Sequence, residues 1–170
     1  MSVTIAADAM AHVVSRMAPE LAVADYRKRR HSFNRVKGDD LVHVVSFQMG
    51  PKLPPGATEV PPYRLDLYGK FTINIGVYVP HLALRLGRAP RGAWVNEYNC
   101  HLRQRIGQFL TPPVDSWWSL DDPEVAASTA SRALRDHGLV WLDRLGTDQE
   151  IIEMYDREGR VKVGLGPRAA

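Results

Sequence analysis

One cysteine in 170 residues, Cys100, leaves no partner for an intrachain disulfide and rules out a multi-cysteine metal site. Such a chain is at home in a reducing compartment, and the cytoplasm is the expected location. A secretory leader is also missing: residues 1–26 carry Asp8, Glu20 and Asp25 and lack a basic start followed by an unbroken apolar core. No membrane span is expected, because the longest nearly uncharged apolar stretch, residues 71–84, contains Asn74 and Pro80 and falls short of the ~20 residues a spanning helix needs. Excess charge is scarce too. Lys and Arg number 22 against 19 Asp and Glu, a net charge of +3 and a pI near 9.2, far from the density of a dedicated nucleic-acid binder. Phosphate loop, nucleophile elbow, paired zinc histidines and dinucleotide fingerprint are all absent at their required spacings. The sequence therefore nominates no catalytic residue, no metal ligand and no cofactor.

What is present is ordinary globular material, 45% hydrophobic and 24% charged, in a chain long enough to bury a core without staples. One domain over residues 1–159 and a tail at 160–170 are expected. The clearest pattern is residues 70–78, KFTINIGVY, where Phe71, Ile73, Ile75 and Val77 alternate with Thr72, Asn74, Gly76 and Tyr78. Burying those four apolar side chains is worth roughly 1.5–3 kcal/mol each, which predicts a central strand.

Around it, the apolar positions Ala6, Met10, Val13, Met17 and Leu21 predict an amphipathic N-terminal helix over residues 3–18, ended or kinked by Pro19. The basic segment YRKRRHSFNR, residues 26–35, reads either as a solvated loop entering an edge strand or as a contact for an anion or nucleic acid. Residues 32–36 and 41–48 predict a hairpin about the turn at Lys37, Gly38, Asp39 and Asp40, with His43 a hydrogen-bonded core residue of an interior strand. The prolines and glycines of residues 49–62 predict a surface loop, and Tyr63, Leu65 and Leu67 the start of a strand bent by Gly69.

Beyond Pro80, which closes the central strand, residues 81–91 carry no readable pattern. A fourth strand is predicted from Tyr98 to Ile106, with Cys100, Leu102, Gln104 and Ile106 on one face and His101, Arg103 and Arg105 on the other. Opposite faces keep Cys100 and His101 from sharing a proton, so Cys100 reads as a buried thiol. Trp117 and Trp118, adjacent in an extended segment, should face opposite ways. Asp122, Pro123 and Glu124 open a helix with a buried stripe of Ala126, Ala130, Ala133, Leu134 and His137 and a stop at Gly138. Leu139 to Leu142 form a short apolar run. Thr147 and Glu150 form a capping box for a last helix, with Ile151, Ile152 and Tyr155 as its contacts and Gly159 as its end.

The expected architecture is α+β: a mainly antiparallel sheet of four or five strands, packed with the N-terminal helix and two C-terminal helices mostly on one face. His101, Arg103 and Arg105 stand at i, i+2 and i+4 with about 7 Å between neighbours, so their charges need an answer. It is either acidic side chains, Asp66 or Asp115, or a phosphate- or carboxylate-bearing ligand with Trp117 or Trp118 as a stacking platform.

The ordered motifs FNR…LVHVVSFQ, KFTINIGVYV, CHLRQRIG, DSWWSL and GLVWLDRLGTDQE resemble the family called domain of unknown function 4304, over roughly residues 20–155. That resemblance implies a cytoplasmic bacterial protein of uncharacterised activity and carries over no catalytic residue. Relatives tend to have a glycine before an aromatic where this chain has Asp25 and Tyr26, and its loop at 49–62 is longer than usual. The functional expectation is a non-enzymatic interaction module for a protein partner, such as a partner-neutralising protein of the kind bacteria keep beside toxins. The alternative is an enzyme or binder acting on a phosphorylated or nucleic-acid ligand through the His101, Arg103, Arg105 face with Asp115 nearby. The oligomeric state stays open.

Overall fold

The structure is a computed structural model that describes residues 3–38, 40–61, 65–90 and 92–158, without the side chains of Val3 and residues 155–158. The expectations placed on Asp39, Pro62, Tyr63, the Tyr155 side chain, Gly159 and the tail lie outside the described residues. The architecture is α+β. One antiparallel sheet runs in the order β1 (Arg27–Arg29), β2 (Ser32–Lys37), β3 (Leu41–Met49), β4 (Lys70–Tyr78), β5 (Leu102–Arg105), and β6 (Trp118–Ser119) pairs with β4 beside β5. Six strands form where four or five were expected, because the basic segment itself forms the edge strand β1 and the second tryptophan opens β6.

The period-two pattern of β4 builds the core as its alternation demands. Phe71, Ile73, Ile75 and Val77 are wholly buried, and the register sets them opposite Met49, Phe47, Val45 and His43 of β3. Phe33, Phe47 and Phe71 form a chain of ring contacts at 5.8 and 6.4 Å, which Trp118 extends at 5.5 Å. Over this face lie α1 (Val3–Val23) and α3 (Pro123–Ala133), packed on each other. The predicted stripe of α1 is buried, but the helix continues through Pro19 instead of ending there. Buried Met17 and Leu21 anchor both sides of the proline, and Glu20 accepts hydrogen bonds from Ser131 and Arg135 of the α3 region, which outweighs the one backbone bond a proline forfeits.

Asp122 caps α3 through the Val125 N–H at 3.1 Å, as its sequence demands. Gly138 does not stop the chain. Residues Leu134–Leu139 form a π-helical turn that runs on into α4 (Val140–Asp143), and a Cβ on Gly138 would stand 2.9 Å from Ile106 Cδ1 and Leu134 Cδ1. The glycine is there for close packing. The wider turn also rotates the stripe, so His137 is exposed while Ala127 and Trp141 are buried. Helix α5 (Asp148–Glu158) opens with the Thr147–Glu150 cap, the Glu150 carboxylate reaching the Gly146 N–H at 2.8 Å; Met154 is buried where Ile152, 53% exposed, was expected.

His43 is the hydrogen-bonded core histidine its surroundings predict. Its Nε2 donates to the Leu145 carbonyl at 2.7 Å and its Nδ1 accepts from Arg35 Nη2 at 3.0 Å. Arg35 also pairs with Asp143 at 2.5 Å and lies 4.7 Å over the Tyr26 ring, so this cluster ties β2 and β3 to the C-terminal helices. Burial, with the Leu145 bond opposing and the Arg35 charge assisting, pushes the imidazole pKa down to about 4. Residues 65–67 form no strand: Leu67 packs against Gly50, and Gly69 turns with φ 77° into β4. Among the described residues no helix is long and apolar enough to cross a membrane.

Candidate functional site

With the helices on one side, function is sought on the other face of the sheet. Alternation sends Ser32, Asn34, Ser46, Thr72, Asn74, Gly76 and Tyr78 to it, and the register brings Arg27 and Arg29 of β1 and Arg103 and Arg105 of β5 to its two edges. Residues 80–100 cross part of this face. Helix α2 (Pro80–Arg85) contributes Ala83, which joins Val95, Cys100, Val44 and Tyr78 in a second apolar cluster.

The predicted fourth strand is shorter than expected. Glu97–Asn99 form a 3₁₀ turn, and only Leu102–Arg105 pair with β4. The turn breaks the alternation, so Cys100 sits over Gly76 on this second face and not with Leu102. It is a buried thiol as expected, its pKa pushed up by burial and then by the Glu97 charge. No hydrogen bond joins it to His101; the thiol's recorded partner is the Asn96 carbonyl.

The arginines of β5 carry their own counter-ions. Arg103 donates to both carboxylate oxygens of Glu97 at 2.6 and 3.0 Å, which holds its pKa above the ordinary value. Arg105 pairs with Asp115 at 2.5 Å, donates to Asn74 Oδ1 at 3.1 Å and lies 5.0 Å over the Trp117 ring. Trp117 Nε1 donates to the second Asp115 oxygen at 2.9 Å. Burial works to raise the Asp115 carboxyl, but the bonds from Arg105 and Trp117 outweigh it and hold the group below the usual carboxylate range. Asp66 takes no part; it accepts from the Tyr68 N–H in its own loop. His101 Nδ1 accepts from the Val79 N–H at 3.0 Å and its ring lies 5.4 Å from Tyr78, while burial and the charges of His81 and Arg88 keep the imidazole pKa low. The structure thus gathers Arg105, Asp115 and Trp117, places Arg103 and His101 in separate pairings, and turns Trp118 to the core side on Phe71.

The opposite edge is different. Arg27, Lys28, Arg29 and Arg30 are exposed, and no acidic partner within 4.0 Å is recorded for any of them among the described residues. Three cavities of about 870, 790 and 330 Å³ surround this edge, and Arg29 and Trp94 line all of them. Ser32, Ser46 and Asn96 line the largest; Arg27 and Asn34 line the second. Asn34 is 9% exposed, yet its Oδ1 has no hydrogen-bond partner among the described residues, and neither does the buried Ser32 Oγ. An unsatisfied acceptor buried in a cavity wall is costly unless something enters the cavity to meet it.

Sequence reasoning noticed the basic segment but not Trp94, Asn34 or Ser46. Trp94 stands in a stretch without periodicity, and the small polar residues read as plain strand alternation. Among the described residues no three His, Cys, Asp or Glu side chains converge as metal ligands would.

No curated protein and no solved structure matches the chain. The family described as a domain of unknown function, DUF4304, matches residues 63–144, a narrower span than residues 20–155, running from the loop before β4 to the end of α4. Over residues 63–144 the chain belongs to the DUF4304 family.

Proposed function

We propose that the chain is a non-enzymatic binding module that takes a polyanionic partner at the β1–β2 edge, in the groove lined by Arg27, Arg29, Ser32, Ser46 and Trp94. One observation carries this reading: the cations at this edge lack acidic partners, whereas Arg103 and Arg105 are neutralised within the chain. Four adjacent like charges repel one another, and a ligand bearing closely spaced negative charge relieves that repulsion. The expected contact face accordingly moves from β5 to β1. Asp115, Arg105 and Trp117 stay on the same sheet face as an internally satisfied wall.

Retention on immobilised heparin tests the reading with a charge-matched control. The Arg27→Ala, Arg29→Ala variant should elute at distinctly lower salt than wild type, and the Arg103→Ala, Arg105→Ala variant close to wild type. Equal shifts for the two variants would mean that net charge alone governs retention, and the groove would lose its role.

A further inference from the structure

Four successive register pairs place Arg29, Ser32, Ser46, Asn74 and Arg105 in one row across five strands of the second face. At the usual strand spacing the row is about 19 Å long. Its ends are arginines, its middle is small and polar, and a tryptophan serves each end: Trp94 beside Arg29 in the cavity wall and Trp117 beneath Arg105. From this row we infer that the polyanion is a single-stranded nucleic acid lying across the sheet, an inference that rests on the binding-module reading above.

Three features favour this ligand over an acidic protein surface. Arg27 and Arg29 supply guanidinium forks without partners, suited to bidentate contact with phosphate oxygens. Trp94 lines every cavity around those arginines, and a half-buried indole beside cations is the platform on which an unpaired base stacks. The free Asn34 Oδ1 needs a hydrogen-bond donor, which a phosphate or carboxylate lacks and the ring N–H or amine of a base provides. The length agrees as well, since about 19 Å accommodates about five nucleotides at the 3.4 Å stacked rise. A duplex hides its base faces and leaves Trp94 and Asn34 without a role. The low net charge of the chain is no obstacle, because four of its 22 basic residues are consecutive at this edge.

Fluorescence anisotropy with labelled twelve-nucleotide dT and rU strands, the matching duplex, and polyglutamate decides the matter. Wild type should bind the single strands more tightly than the duplex or the peptide. For Arg27→Ala, Arg29→Ala the slope of log K against log salt should shrink by about 1.4, two contacts at ~0.7 each. Trp94→Ala should weaken binding about tenfold with the slope unchanged, and Trp94→Phe should recover most of it. A preference for rU over dT, or the reverse, identifies which single strand is the ligand. Polyglutamate bound through Arg27 and Arg29 with dT and rU unbound would overturn the nucleic-acid inference while leaving the binding module standing. Loss of binding to every probe and to heparin would overturn both. Single strands bound equally by wild type and Trp94→Ala would reduce the site to charge and refute the stacking row.

Discussion

Acid should destabilise this protein well above the pH at which carboxylates titrate, and His43 is the reason. The imidazole is fully buried, donates through Nε2 to the Leu145 carbonyl and accepts through Nδ1 from Arg35. A second proton on Nδ1 would confront the Arg35 guanidinium directly. With a folded pKa of about 4 against an ordinary 6.5, the unfolded chain binds the proton more readily. Stability is therefore complete above pH 6.5, falls as pH drops from 6.5 toward 4, and levels off below that for this group. At 1.36 kcal/mol per pH unit the loss is roughly 2 kcal/mol by pH 5 and about 3 kcal/mol at saturation. His31 and His101 are also held below the ordinary value, so the measurement compares urea unfolding of wild type and His43→Gln from pH 7.5 to 5. The variant should be less stable at pH 7.5 but should lack the His43 share of the slope. Parallel stability curves for the two proteins between pH 6.5 and 5 would refute the assignment.

Other perturbations test other parts of the fold. Gly38 sits at φ 50°, and a Cβ there would stand 1.9 Å from the Gly146 carbonyl oxygen, so Gly38→Ala should cost about 3 kcal/mol or more in chemical unfolding. Asp25 adopts φ 63°, the left-handed region that glycine occupies freely; Asp25→Gly should leave thermal stability unchanged or raise it by up to about 1 kcal/mol. Arg103→Ala strips the bidentate partner from the largely buried Glu97, and should cost about 1–2 kcal/mol in urea unfolding without weakening heparin retention.

The parts of the fold set by local rules were legible in the residues. Strict alternation located β4 to the residue, the spacing of Met10, Val13 and Met17 gave the buried side of α1, and Asp122 with Pro123 gave the start of α3. The errors arose where tertiary packing overrode a local signal. Pro19 is carried inside a helix anchored on both sides, and Gly138 serves a close contact with Ile106 when its type suggested a stop. The glycine expected where Asp25 stands now has a physical meaning, since the chain turns there through a left-handed residue. For the site, the pairing of Arg105 with Asp115 was foreseeable from the short distance along the chain. The Glu97 partner of Arg103 was not, because it depends on a 3₁₀ turn that the strand-like alternation concealed. The groove was least legible: Arg29, Asn34, Ser46 and Trp94 come from four separate segments, and only strand register and the course of residues 80–100 bring them together.

The two margins of the sheet have a bearing on how a macromolecule can approach it. One ends in three charged residues of β1; the other is split between β5 and β6, four residues and two, on different parts of β4. A foreign extended chain laid along either margin finds only a few free rungs before the ladder runs out. Self-templated stacking of sheet upon sheet edge, the route to fibrils, is thereby starved of register at both ends. Recognition must come through side chains projecting from the sheet's surface, which leaves the sequence of that surface free to change without altering the strands that carry it.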